Sequence, residues 1–199
     1  MEKKIIIPVV IVIIFILVGG FFLFSNKPKD IASSNEKTQN IFTPSKTSST
    51  EISEIVIELS DLPEGYKIVE RGPRTSADIS EESIERGWKE GYSVEFQKGD
   101  TLLDISRISL WNSRYPIENI QKIVNNSLNY SGDYIISEIS SPNVGDISKA
   151  YKIKDSEWGI LKYRIDFGKK DIFVAIEVVG NAADYELLKE LAKKVENKI

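Results

Sequence analysis

The chain has no cysteine and no histidine among its 199 residues, and one methionine. Without cysteine there are no disulfide staples, no thiolate metal sites and no lipidated cysteine behind an apolar leader. Without histidine the chain loses the commonest metal ligand, the commonest general base near neutral pH and the usual partner of a serine nucleophile. No P-loop, GxGxxG or GxSxG pattern occurs, and the acidic clusters Glu81-Glu82 and Asp155-Ser156-Glu157 lack the glycine of a calcium loop. The expectation is a non-enzyme with no cofactor and no metal. Basic charge is also scarce where a folded domain is expected. Residues 1–50 hold six Lys against three acidic residues, whereas residues from 51 onward hold 20 Lys and Arg against 27 Asp and Glu. An acidic domain lacks the footprint that releases counterions from phosphates, so no nucleic-acid partner is expected.

What the chain does have is one long uncharged run, Ile5 to Phe24. About 20 residues at roughly 1.5 Å of helical rise match the roughly 30 Å hydrocarbon core of a bilayer. Pro8 and Gly19-Gly20 are tolerable in such a helix, and the flank GGFFLFSNKPKD offers no small-residue cleavage pattern. The expected organisation is therefore a short cytoplasmic start (1–4), a retained transmembrane helix (5–24), a flexible polar linker (25–50) and an extracytoplasmic domain (51–199). The linker is rich in Ser, Thr, Asn and Lys and has little with which to build a core. Lysines flank the apolar run on both sides, so the orientation rests on the long polar domain that follows a single span with almost nothing before it.

Beyond residue 50, short segments alternate in polarity. Ile55, Ile57 and Leu59 predict a first strand, Tyr66–Glu70 a second, with GPRTSAD as a loop after it. Asp78 and Glu81 form a capping-box-like start for a short helix that Gly87 ends. Tyr92–Phe96 and Leu102–Trp111 predict a hairpin, and Pro116 opens a helix with Ile117, Ile120, Ile123, Val124 and Leu128 on one face. Further strands are expected at Tyr134–Ile139 and Ile147–Ile153. The hairpin Trp158–Phe167 with Ile172–Val179 carries apolar residues on both faces, so both faces should be covered. Asn181 is expected to cap a final helix whose stripe is Leu187, Leu188, Leu191, Val195 and Ile199. The fold class that follows is α+β, an antiparallel sheet with helices on two sides, an α/β/α sandwich.

The element order, the Pro-started central helix, the phrase GDISKAY, the hairpin YRIDFGKKDIFVAIEVVG and the closing helix LLKELAKKVENKI resemble the Mog1/PsbP-like fold. They are similar to its small extracytoplasmic domains in bacterial lipoproteins and archaeal membrane-anchored proteins. The likeness covers about residues 51–199. It implies a domain that binds other proteins, with no functional residue carried across position by position.

Two aromatic pairs are the candidate ligand-binding residues: Trp88 with Tyr92, and Trp111 with Tyr115. Each offers large contact area and a hydrogen-bonding tip, as a peptide or glycan site requires; core packing at strand ends is the competing use. Arg107, Arg164, Asp104, Asp166 and Glu177 fall within expected strands, where charges are costly unless paired, so an ion-pair cluster or an acid-lined pocket is expected. Asn125-Asn126-Ser127 and Asn129-Tyr130-Ser131 make Asn125 and Asn129 glycosylation candidates. The expected function is a non-catalytic binding or adaptor domain held at the cell membrane through residues 5–24, with an envelope protein or glycan as partner. The alternatives are a hydrolase using two carboxylates in a cleft, and a purely structural envelope protein.

Overall fold

The computed structural model describes residues 47–100, 104–128, 134–157, 159–180 and 183–199. The apolar run Ile5–Phe24 lies outside them, as does Asn181; among the described residues no helix is long and apolar enough to cross a membrane. Seven strands form one sheet: β1 (Lys67–Arg74), β2 (Glu90–Lys98), β3 (Ser106–Arg114), β4 (Tyr134–Ile139), β5 (Ile147–Asp155), β6 (Leu161–Lys169) and β7 (Ile172–Gly180). Their spatial order is β1-β2-β3-β7-β6-β5-β4, and every neighbouring pair is antiparallel. The helices are α1 (Glu81–Glu85), α2 (Ile117–Asn125) and α3 (Tyr185–Glu196). The fold is α+β.

Side chains alternate across a strand, so β7 sorts the two faces. Ile172, Val174, Ile176 and Val178 point to the first face, where they form the main core with Val94, Phe96, Ile108, Leu110, Ile165 and Phe167 from the sheet and Leu188, Leu191, Ala192 and Val195 from α3. The other face carries Phe173, Ala175, Glu177 and Val179. There α2 packs over one end only, where Tyr115, Ile120 and Ile123 meet Trp88, Ile147 and Phe173. Gly168 of β6 makes that approach possible, because a Cβ on it would strike Ile120 and come within 3.3 Å of Val124. The rest of the second face has no helix over it among the described residues.

Several expected elements take different forms. Ile55–Leu59 is not a strand: two 3-10 turns, Ile52–Glu54 and Leu59–Asp61, flank Ile55, Val56 and Ile57, all three fully buried. A strand would send alternate residues to opposite faces, whereas here three consecutive side chains enter the main core. The expected loop GPRTSAD begins inside β1, which runs to Arg74 with an irregular register between Ile68 and Glu70. Asp78 caps a 3-10 turn, accepting from the Thr75 amide at 2.8 Å, while Ser80 caps α1 by accepting from the Ser83 amide at 3.1 Å. Helix α2 stops at Asn125, and Pro116 is its cap residue rather than its first turn. Asp184 caps α3, its side chain accepting from the Glu186 amide at 2.9 Å. Ser48, inside the stretch expected to be linker, is buried.

Candidate functional site

The register aligns one residue from every strand in a row across the second face: Glu70, Glu95, Ser109, Glu177, Arg164, Tyr151 and Glu138. A neighbouring row runs Ser93, Trp111, Ala175, Asp166 and Lys149, and a third runs Gln97, Arg107, Val179, Lys162 and Ile153. Directly opposed residues stand about 5 Å apart at Cβ, so these rows form a continuous surface of interacting side chains.

Charges on this surface pair with one another. Arg107 Nε lies 3.7 Å from Glu95, Lys162 Nζ 3.3 Å from Glu177, and Lys149 Nζ 3.6 Å from Glu138. Arg164 Nε donates to Asp166 Oδ1 at 2.8 Å, and Ser127 Oγ, just past α2, donates to Asp166 Oδ2 at 2.7 Å. Asp166 is fully buried; burial pushes its carboxyl up, against the opposing pull of Arg164 and Ser127. Glu95 is also raised, chiefly by burial, with Glu70 and Glu177 adding to the shift and Arg107 opposing it. The Tyr151 phenol is pushed up to about 12 by burial and by the charges of Asp166 and Glu138. The expected ion-pair cluster is thus present for Arg107, Arg164, Asp166 and Glu177, whereas Asp104 falls in a turn before β3.

Trp111 stands half-buried on this face, beside a shallow depression lined by Glu70, Ser93, Val94, Glu95, Ser109 and Trp111. Its volume is about 50 Å³, whereas a site that engulfs a drug-sized ligand needs roughly 300 Å³ or more. It has room for no more than one small group. The exposed part of this face lies on β1, β2 and the neighbouring side of β3, around Trp111; toward β6 and β5 the same rows are buried, Asp166, Ala175, Tyr151 and Ile153 among them.

The four candidate aromatics do not form one site. Trp88 Nε1 donates to Ser113 Oγ at 3.3 Å, and Trp88 packs with Tyr115 in the cluster beneath α2. Trp111 is on the same face but reaches the open surface. Tyr92 is on the opposite face, paired in register with Asn112 and packed against the main core. Asn125 is exposed at the end of α2, and the serine of its triplet, Ser127, is the residue bonded to Asp166. Asn129 and Trp158 lie outside the described residues. Glu70, Ser93, Glu95 and Ser109 were not singled out by sequence. Their alternation within β2 and β3 marks them as one polar face, but only the register across β1, β2 and β3 brings them together.

No family model and no curated protein matches the chain. Among solved structures, the fold is similar to the extracellular domain of PknH from Mycobacterium tuberculosis, with a TM-score of 0.54 and 10% sequence identity over 78% of this chain and 100% of that one.

Proposed function

We propose that this chain is a membrane-anchored, extracytoplasmic and non-catalytic domain that binds a protein or other envelope component through the open polar face around Trp111. The observation that carries the reading is the cluster of solvent-accessible Glu70, Ser93, Glu95 and Arg107 around the half-buried Trp111 on the β1–β2–β3 part of the second face, away from α2. Trp111 keeps part of its ring accessible amid charged neighbours, and tryptophan is enriched among residues that anchor interfaces. The apolar run Ile5–Phe24 supports the anchor, and the extracellular placement of the structurally similar PknH domain fits the proposed side of the membrane. The resemblance to Mog1/PsbP-like domains points the same way.

The test is crosslinking of the full chain in its native membrane. Trp111→Ala and Ser93→Arg should each abolish capture of the partner that wild type retrieves while the domain stays folded, with a melting temperature lowered in Trp111→Ala only by its lost packing. Protease added from outside should digest the domain. Capture unchanged in both variants would remove the polar face from the proposal, and protection from external protease would remove the orientation. In a host that N-glycosylates, a mass increment lost in Asn125→Gln or Asn129→Gln would add direct support for the outer side.

A further inference from the structure

The two edges of the sheet are built differently. β1 carries Lys67, Arg71 and Arg74, has Pro73 near its end and slips register between Ile68 and Glu70. Charges, a missing N–H and an irregular ladder are the devices by which edge strands avoid templating another strand. β4 has one charge only, Glu138, which pairs with Lys149, and neither of the other two. Its sequence YIISEI contains no Pro, Lys or Arg, and it pairs with β5 in unbroken register from Tyr134 opposite Asp155 to Ile139 opposite Ala150. Five of its six residues are exposed, with Ile135 at 60%. Among the described residues β5 is its only strand neighbour, so its outer row of backbone donors and acceptors has no strand beside it.

The side chains around this edge define what would fit. On the first face Lys152 stands opposite Ser137 and Lys154 opposite Ile135. Both lysines are exposed, and no ion pair among the described residues includes either. A strand added outside β4 would lie two strand spacings from them, roughly 10 Å. A lysine and a glutamate side chain together span that gap over the short Ser137. On the second face the edge presents Tyr134 and Ile136, each 39% exposed. An antiparallel second copy of β4 would match poorly, because it brings Ile135, Ser137 and Ile139 to the first face, with more lysines behind them and no carboxylate.

We propose that β4 accepts an extended segment of another protein as an eighth strand, and that this segment carries carboxylates on the face of Lys152 and Lys154 and apolar side chains on the face of Tyr134 and Ile136. Backbone pairing supplies the attachment, and the alternation of acidic and apolar residues supplies the selection. The site lies at the β4 edge, four strands away from Trp111 on β3, and neither reading depends on the other.

The test uses the full chain in detergent with two blocked synthetic probes, one alternating Val and Glu and one alternating Val and Lys, read by binding titration and by hydrogen exchange. The Val–Glu peptide should bind about tenfold more tightly than the Val–Lys peptide and slow exchange within 134–139. Lys152→Glu with Lys154→Glu should reverse that preference, and Trp111→Ala should leave it unchanged. Equal binding of the two probes, or no protection at 134–139, overturns the proposal. Protection there that grows with protein concentration in the absence of peptide overturns it in favour of a second copy. Loss of peptide binding in Trp111→Ala overturns it in favour of the polar face.

Discussion

Asn112 Nδ2 donates to the carbonyl oxygen of Ile52 at 3.0 Å, joining a central strand to a turn that precedes the whole sheet. The same amide donates to Ile55, and Oδ1 accepts from the Tyr92 amide at 3.0 Å. Asn112 is fully buried at a first-face position whose neighbours along β3 on that face, Leu110 and Ile108, are apolar. With Lys198 Nζ, which donates to the Val56 carbonyl at 2.6 Å, this core side chain satisfies a segment that has no ladder of its own, and lets Ile55, Val56 and Ile57 all enter the core.

Asn112→Ala should therefore cost far more than its lost volume. It removes the donor to the Ile55 carbonyl and the acceptor of the Tyr92 amide, and leaves the Ile52 carbonyl with only the longer bond from the Ile55 amide at 3.3 Å, a loss of about 2–4 kcal/mol. Urea denaturation measures it, and a loss below about 1 kcal/mol would mean that water or the backbone replaces the side chain.

Gly168→Ala should loosen α2 selectively. The added methyl would collide with Ile120 and crowd Val124 and Ile147, the last at 3.4 Å. Overpacking of this kind costs about 1–3 kcal/mol. Hydrogen exchange should rise in 117–125 while α3, on the other face, keeps its wild-type protection; equal change in both helices would contradict the local account.

The hairpin of β6 and β7 illustrates how far sequence alone reaches. Alternating runs around a polar turn identify both strands, but Gly168, which reads as part of the turn, belongs to β6; the turn is Lys170-Asp171, with Lys170 in the left-handed region at φ 55°. Gly168 serves the packing of α2, a contact between segments about 50 residues apart that no local pattern encodes. For the same reason sequence carries only part of the row from Glu70 to Glu138: Arg164 and Glu177 read as strand charges that need partners, but only the register sets them in line with Glu70, Glu95 and Ser109. The 52–61 segment imitates a strand in its apolar spacing, while its backbone is paired with side chains, Asn112 on β3 and Lys198 just past α3.

Glu95 should make stability fall with rising pH. Its carboxyl is raised above the ordinary 4.5, so the folded state binds the proton more tightly than the unfolded state does. That contribution is fully present below about pH 4.5 and is lost as pH rises through the raised value. Glu95→Gln removes this dependence, so its melting temperature relative to wild type should increase from about pH 4 to about pH 8. The paired Arg107 is 44% exposed and remains hydrated without its partner. A difference that stays flat across the range would show that Glu95 titrates alike in both states.

Residues 48–50 should prove to be part of the folded domain despite their linker-like composition. Arg114 Nη1 donates to the Ser48 carbonyl at 3.0 Å and to Asp171 Oδ2 at 2.7 Å, Nη2 donates to the Thr50 carbonyl at 2.8 Å, and Nε donates to Glu90 at 2.6 Å. Asp171 Oδ1 in turn accepts from the Ser48 amide at 2.8 Å, and the Asp171 side chain is only 4% exposed. Arg114→Ala would strand that carboxylate, at a cost of about 3–5 kcal/mol. Arg114→Lys should not restore stability, because a lysine cannot reproduce the planar fork that reaches four acceptors. A chain beginning at residue 51 should melt below one beginning at residue 47, and the gap should shrink sharply when both carry Arg114→Ala, since the two changes remove the same network. Strict additivity in that cycle would show that the segment contributes nothing through Arg114.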